Sequence, residues 1–193
     1  MIAGHFGLAA AVKSREQATP LWALMLATVW LDVVFVPLLF SGLETVRPAD
    51  GAHGGYGASI IHADYTHSIV GMILLSGALG GVCCVFWGRR SGIVIGLVAA
   101  SHWLSDLLVH RGDMAILPGD AGGLPRLGLG LWRTPAASAA LELALVLVGA
   151  RLYWGAARDV AAKNGRGTLT AKIAAALIAI FGALTLWLDY TAS

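Results

Sequence analysis

SGIVIGLVAASHWLSDLLVH, residues 91–110, is the stretch on which the fold turns. A helix that crosses a membrane needs roughly 20 largely apolar residues, and this segment supplies them while carrying His102 and Asp106 in its interior. An ionisable group in hydrocarbon costs a few kcal/mol or more, so it normally faces a bundle interior or a cavity. His102 and Asp106 stand four residues apart and therefore share one helix face, and His110 continues the stripe. The segment reads as a membrane helix with one polar face turned inward.

The rest of the chain repeats the pattern. Hydrophobic residues make up 58% of the sequence and charged residues 12%, about half the charged fraction of a soluble domain; the mean hydropathy is +0.75. Four further stretches are long and apolar enough to span: 20–41, 66–87, 135–154 and 169–188. Residues 1–12 are apolar but too short to cross, and read as a half-helix dipping into the bundle, with Lys13 and Arg15 back at the surface. Irregular backbone at membrane depth is tolerated only where it is buried in protein. The expected fold class is an all-α integral membrane bundle, one domain of about five transmembrane helices plus the N-terminal half-helix. A signal peptide would place positive charge before its apolar stretch; here the charge follows it, so the segment is expected to stay in place.

Two long loops, 42–65 and 111–134, are rich in Gly and Pro and hold acids and histidines, as functional loops often do. Lys and Arg concentrate at one end of the predicted bundle. Lys13, Arg15, Arg89, Arg90, Arg151, Arg158, Lys163, Arg166 and Lys172 fall there, against Arg47, Arg111, Arg126 and Arg133 at the other. Nine against four makes the first end cytoplasmic and sends the long loops and the C-terminus outward. The net charge of +2 is too small, and the basic residues too scattered, for nucleic-acid binding. Cys83 and Cys84 read as small packing residues. Gly77 and Gly81 form a small-xxx-small pair suited to close helix packing, and Trp22, Trp87, Trp132 and Trp187 read as interfacial anchors.

Counting 1.5 Å per residue inward from the outer face puts His102 about 12 Å deep, Asp106 about 6 Å, Asp32 about 14 Å and Glu142 about 10 Å. His5 reaches a similar level if its half-helix rises from the cytoplasmic side, and His67 lies at the mouth of the second span. One outer-to-middle layer thus collects them all. Zinc accepts imidazole nitrogen and carboxylate oxygen, and a catalytic site leaves one position open for water. His5, Asp32, His67, His102 and Asp106 are enough ligands for one divalent ion, or two. Taken singly, these residues also have plainer readings: His5 as a packing or interfacial residue, Asp32 as a proton relay or ion-pair partner, and Glu142 as a partner of Arg133 or of a histidine. His53 and His62 read as solvated loop residues.

The sequence resembles a family of small bacterial multi-pass membrane proteins described as membrane-bound metal-dependent hydrolases, some of them labelled permeases. The resemblance runs from His5 to about Tyr153. It is carried by Ala3-Gly4-His5-Phe6-Gly7-Leu8-Ala9, Leu31-Asp32, Gly42-Leu43-Glu44-Thr45-Val46-Arg47, Tyr65-Thr66-His67-Ser68 and Ser101-His102-Trp103-Leu104-Ser105-Asp106. It continues in His110-Arg111-Gly112-Asp113, Leu117-Pro118-Gly119, Leu127-Gly128-Leu129-Gly130-Leu131-Trp132 and Glu142.

Together the residues and the resemblance imply a bacterial inner-membrane metal hydrolase, with zinc the expected ion and an ester or phosphoester of lipid character the expected substrate. In that reading His5, Asp32, His67 and His102 are ligands, and Asp106 is a further ligand or the general base. Glu142 and Asp113 orient imidazoles from behind, and Arg111 binds a phosphate or carboxylate on the substrate. Two alternatives stand beside it. Chains of intramembrane Asp, Glu and His also build ion or proton pathways, though the third to fifth spans carry nothing ionisable deep on the cytoplasmic side. The abundant Gly and Ala would also suit an accessory subunit packed against a membrane-protein partner or a second copy of itself.

Overall fold

The computed structural model describes residues 1–49, 55–165 and 167–191. His53, Arg166 and Ser193 lie outside them. Six helices and one small hairpin make up the described chain: α1 (Ile2–Arg15), α2 (Leu21–Thr28), α3 (Trp30–Ser41), β1 (Thr45–Pro48), β2 (Ser59–His62), α4 (Ile69–Val109), α5 (Pro135–Lys163) and α6 (Leu169–Thr191). The class is all-α. Three helices, α4, α5 and α6, are long and apolar enough to cross a membrane, and α2 with α3, bent by 49° at their junction, make a fourth if taken as one span.

The expected spans 66–87 and 91–110 are the two arms of α4. The helix contains one non-helical residue, Gly88, at φ 81 and ψ 163, a conformation essentially confined to glycine. There the chain doubles back, and the arms 69–87 and 89–109 run side by side. Trp103 Nε1 on one arm donates to the His67 carbonyl at the start of the other, at 2.6 Å. Nearer the bend Gly80 packs so closely on the opposite arm that an added Cβ would sit 2.9 Å from the Gly92 oxygen. The close-packing glycines are therefore Gly80, Gly92 and Gly96. Gly77 and Gly81, expected in that role, face open space, because the contact face lies one residue away on the helix.

α1 lies along α5 and runs parallel to it. Gly4 N–H donates to Glu142, and Ser14 and Arg15 share a cleft with Arg151 and Gly155. Gly7 and Gly149 let the two backbones touch: a Cβ on either would collide with main-chain atoms of the other helix. The N-terminal segment is thus a 14-residue helix, about 21 Å long, reaching from the loop end to the basic end. α2 packs on the second arm of α4 through Leu24 and Ala27 against Ile95 and Ala99. α5 extends to Lys163 and α6 to Thr191, beyond the expected 154 and 188.

Polar side chains are buried beside the apolar core of Leu24, Leu31 and Ile95, and large apolar side chains are exposed. Fully buried side chains include His5, His102, Glu44 and Glu142, while Phe40, Val85, Phe86 and Leu97 are 87%, 82%, 73% and 65% exposed. Trp22 and Trp87 meet edge to face near the basic end, and Trp187 is exposed. Trp132 departs from the expected anchor role: it is buried and lies against the His110 ring. The first loop is also more ordered than its Gly-rich composition suggests. β1 and β2 pair antiparallel, Thr45 opposite His62, so His62 is a half-buried strand residue and no longer a solvated loop residue.

Candidate metal centre

The polar groups reach the bundle interior from several elements. His5 comes from α1, Asp32 from α3, His67 from the residue before the α4 cap, and His102 and Asp106 from the second arm of α4. His67 Nε2 and His102 Nε2 are 3.1 Å apart. Each lies 3.5 Å from Asp32 Oδ1. Asp106 Oδ2 is 3.0 Å from His102 Nε2 and 3.7 Å from His67 Nε2. His5 Nε2 meets the other oxygen, Asp106 Oδ1, at 3.2 Å. Ligand atoms of Asp32, His67 and His102 all fall within 4.8 Å of one another, as do those of His5, His102 and Asp106. Ligands around a tetrahedral zinc ion stand about 3.3 Å apart, which these separations straddle.

Following the protons shows what the cluster wants at its centre. His102 Nδ1 is 2.8 Å from the Thr28 carbonyl, which can only accept, so Nδ1 carries the hydrogen. The junction of α2 and α3 makes this possible: Thr28 ends α2, and the carbonyls of a last helical turn lack intrahelical partners. His67 Nδ1 lies 2.8 Å from Thr66 Oγ1. That hydroxyl is in turn 3.1 and 3.0 Å from the two oxygens of the buried Glu44, which also accepts from the Tyr65 and Thr66 amides. With the hydroxyl proton given to the carboxylate, Thr66 accepts from His67 Nδ1. Both imidazoles, when neutral, then turn bare Nε2 lone pairs toward each other and toward Asp32 and Asp106. Such an arrangement repels itself unless positive charge sits among the four atoms.

A third imidazole follows the same plan. His110 Nδ1 donates to Asp113 Oδ1 at 2.8 Å, and its Nε2 lies 3.9 Å from Asp106 Oδ2. Asp113 also accepts from the Ile61 amide, so the hairpin of the first loop braces the second. Burial pushes the Asp113 carboxyl up, but the His110 hydrogen bond and charge outweigh it and hold it below the usual carboxylate range. Anchoring of this kind, with one ring nitrogen tied down so that the other is aimed, is characteristic of metal-ligating histidines. Arg126 ties the two loops over the cluster, bonding Asp64 at 2.7 and 3.1 Å, Asp120 at 3.0 Å and the Asp113 carbonyl at 2.7 Å.

The remaining sequence candidates sit further off. Glu142 is fully buried, yet it accepts from Gly4 N–H at 3.2 Å and has the Tyr56 hydroxyl beside it. It braces the helix that carries His5; no imidazole among the described contacts rests on it. Arg111 packs its guanidinium near Gly57 and Trp132, and its Nε is buried without a partner. Thr28, Glu44 and Thr66 were missed as positioning groups, and no spacing rule would have found them, since they act across the fold. His110 had a signal, four residues beyond Asp106 on the same face.

A cavity of about 260 Å³ opens on the cluster, with His5, Asp32, His67, Asp106 and His110 in its wall and Phe35 beside them. The Asp32 side chain is 39% exposed whereas those of His67, His102 and Asp106 are 6% or less, so Asp32 marks the opening. If Glu44 orients His67, Glu44→Gln is expected to weaken divalent-ion affinity about tenfold, within the 10–100-fold range for such outer partners, while leaving the helical content unchanged. A zinc Kd equal to that of the parent would show that Glu44 only ties the loop. No family model, curated protein or solved structure matches the chain.

Proposed function

We propose that the chain is a five-span membrane protein of the bacterial inner membrane and a metal-dependent hydrolase whose zinc centre lies toward the outer face. The observation that carries the metal reading is a pair of tautomer-fixed imidazoles whose Nε2 atoms, 3.1 Å apart, are met by Asp32 at 3.5 Å and by Asp106 at 3.0 and 3.7 Å, from three separate elements. Buried charges without a partner are costly, and a divalent cation satisfies all four groups at once. Asp32, His67, His102 and Asp106 would hold it. When bound, such an ion lowers the pKa of a coordinated water toward 7 and polarises the scissile group.

The chain's own groups supply the rest. His110 lines the cavity with Nδ1 held by Asp113 and Nε2 3.9 Å from Asp106 Oδ2, the arrangement of an oriented base that accepts a proton at Nε2. Asp106 sits among the imidazoles, which suits a ligand better than a base. The opening beside Asp32 and Phe35 admits a substrate with an apolar part, in keeping with an ester or phosphoester of lipid character. The two arms of α4, together with α2–α3, α5 and α6, give the five crossings. The exposed apolar side chains would then meet lipid, in keeping with the family the sequence resembles.

Elemental analysis of protein purified without added metal is expected to find zinc or another divalent ion bound. Chelation should abolish turnover of chromogenic esters or phosphoesters, and zinc should restore it. A metal-free protein of intact helicity that binds none on titration would overturn the reading. Orientation is tested separately. Alkaline phosphatase fused after Ser193 should be active, since the lysines and arginines hold the other end in the cytoplasm; a fluorescent cytoplasmic-type signal there would place the centre on the inner side.

A further inference from the structure

We propose that the centre holds two divalent cations, bridged by the Asp106 carboxylate. The proposal rests on the metal reading above and adds a second ion to it. The two oxygens of Asp106 are turned to different imidazoles, Oδ1 to His5 Nε2 at 3.2 Å and Oδ2 to His102 Nε2 at 3.0 Å. Those two rings lie nearly parallel, with centroids 4.0 Å apart and planes inclined by 21°. The ligand atoms of His5, His102 and Asp106 all lie within 4.8 Å of one another, so two ions, one on each ring, would both be within reach of the single carboxylate. Paired catalytic metals are spaced about 3.5–4 Å, and a carboxylate placing one oxygen on each is the usual link between them.

His102 cannot serve both. Its Nδ1 is taken by the Thr28 carbonyl, and a neutral imidazole offers one remaining lone pair. It therefore belongs with Asp32 and His67, whose atoms complete the first ion's shell with Asp106 Oδ2. That leaves His5 and Asp106 Oδ1 for the second. His5 is buried yet lines the same cavity as Asp32 and His110, so the open positions of the second ion face space for water or substrate. With fewer protein ligands, the second ion is the weaker bound. This assignment gives His5 a role that the first ion's four ligands leave vacant. It also suits a phosphoester substrate, whose attacking and leaving oxygens two-metal sites stabilise together.

The test is a count. The full chain in detergent micelles is stripped with a chelator, titrated with zinc, and its bound metal measured after desalting and by calorimetry. Two equivalents are expected, the second at least about tenfold weaker because it has fewer charged ligands. His5→Gln should bind one equivalent and retain the first affinity. Substituting Mn(II) in the unaltered protein should give the electron paramagnetic resonance signal of an exchange-coupled pair, which needs no variant to fold. One equivalent in the unaltered protein, or two in His5→Gln, overturns the bridge while leaving a single-metal centre standing. No metal at all overturns both.

Discussion

Replacing His102 by alanine is expected to abolish stoichiometric metal while leaving the bundle inserted in the membrane. The imidazole stands at the middle of the cluster, 3.0 Å from Asp106, 3.1 Å from His67 and 3.5 Å from Asp32. Loss of an outer partner alone costs 10–100-fold in metal affinity, so loss of this ligand should exceed about 100-fold. Insertion depends on the apolar spans, and removing an ionisable group from one makes insertion no harder. Asp106→Asn separates two roles. A ligand loses its metal when its charge is removed, whereas a general base would leave the metal bound and lose only turnover. The position of Asp106 between His5 and His102 predicts loss of metal. Bound metal and membrane fractionation, measured on both variants, check this. If neither variant changes metal content, the ions lie elsewhere.

Gly149→Val should damage the protein more than any change at its outer face. α1 and α5 approach through Gly7 and Gly149, and a side chain on Gly149 would run into the main chain at Gly7. Overpacking a well-packed interior costs typically 1–3 kcal/mol and sometimes more. Here the obstacle is backbone, which cannot rotate aside, so the loss should reach about 3 kcal/mol. The consequence for the site is specific. α1 carries His5, and Gly4 binds Glu142 across the same seam; forcing the helices apart withdraws His5 from Asp106. The variant should melt at clearly lower temperature and lose the second equivalent of metal, whereas Gly155→Val, with open space around it, should do neither. Thermal unfolding in micelles distinguishes the pair, and equal melting points would show that the seam is not tight.

Much of the candidate centre was readable along the chain because ionisable residues inside long apolar runs are conspicuous. His102 and Asp106 declared a shared face by their spacing, and His5, Asp32 and His67 stood out as ionisable residues in or beside apolar runs. The apolar runs located the helices, including the two arms that meet at Gly88, since length and hydropathy are local properties. Roles that depend on contact were not readable in this way. Glu142 looked like a partner for an imidazole but rests on Gly4, and Gly77 and Gly81 looked like packing residues but face outward, because a one-residue rotation about a helix axis is invisible to composition. The sequence by itself determined which ionisable residues stand in or beside long apolar helices. Only the tertiary structure decided how they are wired: that His102 is held by the carbonyl of Thr28, His67 by Thr66 and Glu44, and His110 by Asp113. Position along a helix follows from counting residues, whereas a hydrogen bond between elements many residues apart depends on how helices pack and where the chain breaks.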